Sequence, residues 1–318
     1  MPNTTHLTTQ QRHIRAAEMR DAGFTYRQIC DELGFVPTSG AAGNAVRRGR
    51  ALLAEQSTVP YWLNRRFGIE VEHCGTSLYR SAQAMRDAGL DAVEPGYTHR
   101  VMAEWKLVPD GSCGNEAVSP ILRGADGWAQ VKTAMDAIRS IGGRVTRSCG
   151  MHLHLDMSDM NGAQIARLVQ FYADFQREVD QFVSPSRRSV NANRWCQGLR
   201  SHEVTTITES FTQSGTSPAH VDRYRTLNVT SFPKYGTLEF RQHQGCLNGA
   251  NARAWGNLLM AMVEVARQDR CDEVEHGDNF LTSLAAVVGM TPVQVRRLKS
   301  RKDRLGVRVH TTVTTASM

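Results

Sequence analysis

The sequence predicts an α+β domain, one sheet with helices packed on one face, preceded by a small all-α module of helix-turn-helix type. Three observations carry that prediction. Residues 66–73, 100–109, 115–119, 145–156, 225–232 and 236–243 carry extended patterns. Helical periodicity occupies 77–89, 127–141, 162–183 and 250–268, and residues 1–58 show only helical patterns. The chain has 318 residues, of which 41% are hydrophobic and 22% charged, a globular composition that excludes collagen, coiled coil and intrinsic disorder. No apolar run approaches the roughly 20 residues that cross a bilayer. Residues 1–13 lack the apolar core of an export signal, so a cytoplasmic protein without membrane contact is expected. Seven cysteines, an odd number with no two close in sequence, argue against a zinc ribbon or a disulfide framework.

The N-terminal module reads as three helices. The first runs from about Thr9 to Ala22 and ends at Gly23. Thr25 and Gln28 form a capping box for the second, which Gly34 stops. Thr38 or Ser39 is the expected cap of a third helix reaching about Ala54. A short helix, a turn with glycine and a following Arg-rich helix match a DNA-binding pattern, with Asn44 and Arg47 as base readers and Arg48 and Arg50 at phosphates. The charge distribution agrees. Residues 1–58 carry +2 and residues 295–318 carry +6 of the net +7, which leaves the middle close to neutral and suggests a polyanionic partner. The boundary falls near Val59-Pro60. The expected division is 1–58 for the helical module, 59–275 for a catalytic domain, and 276–318 for two amphipathic helices with a solvated basic face.

The strands carry the chemistry. Alternation puts Glu70 and Glu72 opposite Phe67, Ile69 and Val71. It likewise puts His152, His154 and Asp156 opposite Met151, Leu153 and Leu155, and Glu239, Arg241 and His243 opposite Leu238 and Phe240. A merely solvated face would include Lys, Thr and Ser as well. A face of Glu, His and Arg needs cations between its like charges, and oxygen-rich ligation with an occasional imidazole suits Mg²⁺ or Mn²⁺. Arg241 beside Glu239 suits a phosphate, because its planar fork offers paired donors. Glu116 is a further candidate metal carboxylate. The Asp110–Ser112 turn, Arg194 and Asn228 are candidate substrate contacts. No GxxxxGK[ST], GxGxxG or G-x-S-x-G motif is present, so any nucleotide must be held by metals and arginines.

The ordered set F-G-I-E-V-E, D-G-S…E-A-V-S-P, C-G-M-H-L-H-L-D, L-N-V-T-S and T-L-E-F-R-Q-H-Q-G resembles the amidoligase family of bacteriophages and bacteria over residues 65–270. That family belongs to the glutamine-synthetase-like carboxylate–amine ligases. The resemblance implies a glutamine-synthetase-like sheet, and ATP with Mg²⁺ or Mn²⁺ as cofactors. It also implies a carboxylate and an amine as substrates; a homo-oligomer stays open, since glutamine synthetase shares its active sites between subunits but nothing in this sequence marks a completing partner. By resemblance Glu70, Glu72, His152, Glu239 and, more weakly, Glu116 are metal ligands. His154 contacts nucleotide, and Arg241 with Glu239 is catalytic, Arg241 binding phosphate. Two other readings stay open from the residues alone: a DNA-binding protein with a ligand-sensing or inactive ligase-like domain, and a metal-dependent hydrolase.

Overall fold

The structure, a computed structural model, describes residues 7–36, 40–56, 60–190 and 193–305. The N-terminal helices are α1 (Thr9–Asp21), α2 (Tyr26–Leu33) and α3 (Ala41–Gln56). Thr8 with Gln11 caps α1, and Thr25 with Gln28 forms the predicted capping box of α2, which stops at Gly34 with a left-handed φ of 64°. The caps predicted for α3, Thr38 and Ser39, lie outside the described residues. The three helices enclose their own small core of Ala16, Met19, Ile29, Leu33 and Val46. Gly49 permits the close crossing of α1 and α3, since a Cβ there would sit 1.8 Å from the His13 carbonyl oxygen.

The rest of the chain supplies β1 (Arg66–His73), α4 (Leu78–Asp87), β2 (Ala92–Val93), β3 (Trp105–Asp110), β4 (Gly114–Val118), β5 (Leu122–Arg123) and α5 (Gly124–Ser140). Then follow β6 (Gly150–Asp156), α6 (Gly162–Asp174), α7 (Gln176–Val179), α8 (Ser201–Ser214), β7 (Leu227–Asn228), α9 (Phe232–Tyr235), β8 (Thr237–Gln244) and α10 (Gly249–Gln268). The strands form one eight-stranded mixed sheet in the order β2-β3-β4-β1-β6-β8-β7, with β5 also paired to β1. Among the described strands only the β2–β3 pair is parallel. The apolar side chains of β1, β6 and β8 meet α5, α6 and α10: Phe67 stacks on Trp128 at 4.3 Å between ring centroids, and Tyr172 meets Phe240 edge-on at 5.3 Å.

Several predicted elements shorten. The 100–109 and 145–156 strands begin at Trp105 and Gly150, 225–232 keeps only Leu227 and Asn228, and the 162–183 helix breaks after Asp174. Helix α8 was not foreseen, because its threonines favour strands. In place, Thr205, Thr206 and Thr212 turn their hydroxyls onto the carbonyls four residues back.

The chain continues with α11 (Phe280–Val288) and α12 (Pro292–Leu305), which pack on α10 and join the main core through Phe280, Leu284 and Leu298. The basic face of α12 is not wholly solvated. Arg301 is buried, donates to the Phe182 carbonyl at 2.7 Å, and has its pKa pushed down to about 10 by burial. Among the described residues no helix is long and apolar enough to cross a membrane.

Candidate active site

Residues paired across an antiparallel ladder point to the same face of the sheet. The register pairs Glu70 with His152 and Val118, Glu72 with Glu116, and His154 with Glu239, which in turn pairs with Asn228. Lys106 pairs with Val118 and Val108 with Glu116. One polar row of side chains therefore crosses the sheet opposite the helices, from Lys106 on β3 to Asn228 on β7. The sequence motifs supply its centre.

Within it, His152 Nδ1 lies 3.0 Å from Glu70 Oε2 and 3.5 Å from Glu239 Oε1, and His152 Nε2 lies 3.6 Å from Glu72 Oε1. His154 Nε2 lies 3.2 Å from the other Glu70 oxygen, Oε1. The Gly150 N–H donates to Glu72 at 2.6 Å, and a Cβ at Gly150 would press on His152 Nε2 at 2.9 Å, so glycine lets the ring lie across the chain. Arg241 donates to Glu239.

One predicted neighbour leaves this face. Met151 pairs with His243 while Leu153 pairs with Phe240, so Arg241 and Gln242 both lie opposite His152 in a β-bulge. The extra residue turns His243 to the helical side, where it meets Arg301 and Trp255.

The charges perturb one another. Burial would raise the Glu70 carboxyl, but hydrogen bonds from His152 and His154 outweigh it and hold Glu70 well below the usual range. Glu239 is also lowered against its burial, by the charges of His154 and Arg241. His154 is raised despite burial, chiefly by its hydrogen bond to Glu70. Glu116 goes the other way: burial, then the charges of Glu70, Glu72, Asp110 and Glu239, push it well above the usual range. A carboxylate buried beside four others is a group that a bound cation would favour in its ionised form.

The donor set fits one. Glu70, Glu116 and His152 each offer a ligand atom within 4.8 Å of the others, as do Glu70, His154 and Glu239, and Glu72, Asp110 and Cys113. Anion donors also stand ready: Arg241 and Arg187 are buried with Nε atoms that have no hydrogen-bond partner among the described residues.

The remaining predicted residues divide. Asp110 accepts from the Ser112 N–H and hydroxyl at 2.8 and 2.6 Å, and the Ser112 hydroxyl lies 3.4 Å from Glu72, which brings that turn to the cluster. Arg194 is exposed over the Trp195 ring, which meets Tyr224 edge-on, and the Arg241 guanidinium lies 5.8 Å from the Tyr224 centroid. Asn228 corrects its expectation as a substrate contact. It is buried, donates to Glu239 at 2.6 Å and accepts from Thr230, so its amide is spent on holding Glu239. Arg50 is a second correction. It is buried, pairs with Asp21 at 2.6 Å and Asp156 at 3.0 Å, and cannot reach a nucleic-acid phosphate. Asn44 and Arg48 are exposed, with Arg47 half-buried and bonded to Asn44.

Sequence reasoning missed Lys106 and Arg187. Both are buried at this face, and the parity of Lys106 with Val108 and Asp110 along β3 was the available signal. A cleft of about 330 Å³ opens over the Lys106 end of the row, walled by Gly68, Glu70, His154 and Tyr235, and reached from the helical module by Arg20.

An antiparallel-rich sheet thus presents a carboxylate–imidazole face with candidate ligands for a divalent cation, and adjoining arginines with free donors for an anion. Residues 63–263 match the family model described as "Putative amidoligase enzyme", and the chain belongs to that family. Membership supports a ligase-type function. Among curated proteins no match to the chain was found.

Proposed function

We propose that the protein is an ATP-dependent carboxylate–amine ligase that forms an amide through an acyl phosphate. The observation that carries this reading is the cluster of Glu70, Glu72, Glu116, Glu239 and His152 on one buried face beside Arg241. Those five side chains would hold Mg²⁺ or Mn²⁺, which supplies charge neutralisation for the triphosphate. In the reaction a substrate carboxylate oxygen attacks the γ-phosphorus while the bond to ADP breaks. The amine nitrogen then attacks the acyl carbon, expels phosphate and loses a proton. Arg241, with Nε unpaired, offers its fork to the transferring phosphoryl group, and Glu239, fixed by Asn228, keeps Arg241 aimed. Trp195 and Tyr224 beside Arg241 present flat surfaces for a purine. His154 contacts the nucleotide or its phosphates.

The test is ADP and phosphate release with pools of amino acids and amines. Release that needs the metal, rises with one pool and vanishes in Glu239→Ala supports the ligase. Turnover of a phosphate ester without ATP would replace it with the hydrolase reading. The reading also keeps DNA as a partner of the helical module, because Asn44, Arg47 and Arg48 remain available on α3. Retention on duplex DNA that weakens steeply with salt tests it, and no retention at low salt removes it.

A further inference from the structure

The two ends of the polar row differ in charge. At its centre carboxylates crowd together. At the Lys106 end four cations, Arg20, Arg100, Lys106 and Lys234, line one cleft, and none of them forms an ion pair among the described residues. Lys106 is only 6% exposed, and its ammonium is held by the carbonyls of Thr98 at 3.0 Å and Arg100 at 2.7 Å. Two neutral acceptors leave one N–H unanswered, and no carboxylate among the described residues pairs with the ammonium directly, although the charges of Glu70 and Glu116 reach it from the centre of the row. Arg20 donates to the Phe24 carbonyl through Nη1 and lies over the Tyr26 ring, while its Nε is buried with no hydrogen-bond partner among the described residues. Three carboxylates share the cleft: Glu70 is engaged with the two imidazoles and Asp156 with Arg50 and Arg66, while Glu116 belongs to the crowded acidic centre. With Arg66, five cations face three carboxylates here, and a concave pocket with such an excess of positive charge is a site for an anion.

We propose that this end of the cleft is an anion subsite. It recognises a second acidic group, a carboxylate or a phosphate, on the substrate whose other carboxylate is activated. The helical module takes part in it through Arg20. The identity of the ligand rests on the ligase reading; the anion site does not. Nucleotide is the alternative source of the charge, but Arg241, Arg187 and the Trp195–Tyr224 rings gather at the opposite end of the row. Lys106 and Glu70 share a row with one strand between them. That places β3 about 10 Å from β1, a span that a diacid of about five carbons bridges with the help of the lysine side chain.

Isothermal titration of the full chain with glutarate, butyrate, phosphoglycolate and ADP, in Mg²⁺ buffer without ATP turnover, tests this. Glutarate or phosphoglycolate should bind about ten-fold or more tighter than butyrate, because butyrate leaves the cations unanswered. The tighter of the two acids identifies the group recognised. Lys106→Met should weaken that acid about ten-fold. Because Lys106 also pins the 98–100 loop, Lys234→Gln and Arg20→Gln provide exposed and half-buried checks, each expected to weaken it about three-fold. ADP affinity should hold in all three variants. Equal binding of glutarate, phosphoglycolate and butyrate overturns the proposal, as does acid binding untouched by Arg20→Gln and Lys234→Gln. Parallel losses for ADP and the acid overturn it too, by assigning the cations to nucleotide. Selective acid binding in a protein that never consumes ATP would sink the ligase reading and leave the subsite standing.

Discussion

Replacing Arg50 by methionine tests how the helical module is joined to the sheet. Arg50 on α3 bonds Asp21 at the end of α1, together with Asp156 at the end of β6 and Ser158 just beyond it, while Arg66 and Arg123 bind the same aspartates from the sheet side. Removing one partner of a buried pair costs about 3–5 kcal/mol when nothing replaces it. Here Arg66 keeps a hold on Asp156 at 3.1 Å and Arg123 on Asp21 at 2.5 Å, so a loss of about 2–4 kcal/mol is expected at pH 7. Burial would raise Asp156, yet the charges of Arg50 and then Arg66 bring it down to about 2 from 3.8. That depression corresponds to about 2–3 kcal/mol. The sign follows: the folded form favours ionised Asp156, so its contribution is complete above about pH 4 and disappears as pH falls through 2. Urea melts of wild type and Arg50→Met at pH 7 and pH 3 should show a deficit at pH 7 that shrinks at pH 3. A deficit below about 1 kcal/mol at pH 7, or one equal at both pH values, refutes the reasoning.

Other perturbations reach the site and the packing. Glu70→Ala or His152→Ala should abolish turnover together with metal-induced stabilisation, whereas wild type gains about 3 kcal/mol at a hundred-fold excess of Mg²⁺ or Mn²⁺ over its Kd, read as a thermal shift. Chelation should reverse that shift. Arg241→Lys should lose most activity while melting near wild type, because the ammonium restores charge without the fork. Gly49→Ala should destabilise the helical module by about 3 kcal/mol, since the His13 carbonyl stands 1.8 Å from the new methyl carbon, and protease protection of α1 reports it.

Much of the site was legible because strands alternate: once β1, β6 and β8 are strands, Glu70, His152 and Glu239 must share a face if their registers allow. What alternation could not reveal was the bulge on β8, which one residue of mismatch creates and which carries His243 to the helices. Nor could it reveal that Arg50, on an arginine-rich helix that reads as a DNA contact, points at Asp156 more than a hundred residues away. Long-range ion pairs leave no periodic trace in sequence. Lys106 escaped for a related reason: it is an ordinary strand lysine until the fold brings Arg20, Arg100 and Lys234 around the same cleft. The capping box at Thr25 and the apolar stripe that opens at Ile165 were local signals; the first appears as read, and the second is carried by α6 as far as Tyr172 before the helix breaks.

The most direct test of the acyl-phosphate account replaces the unknown amine with hydroxylamine and supplies pools of acids with ATP and Mg²⁺. Wild type should form a hydroxamate, coloured by ferric iron, in step with phosphate release, and Glu239→Ala should form none. ATP consumed at the same rate without any acid, or no hydroxamate from any pool by protein that binds ATP and metal, would contradict it.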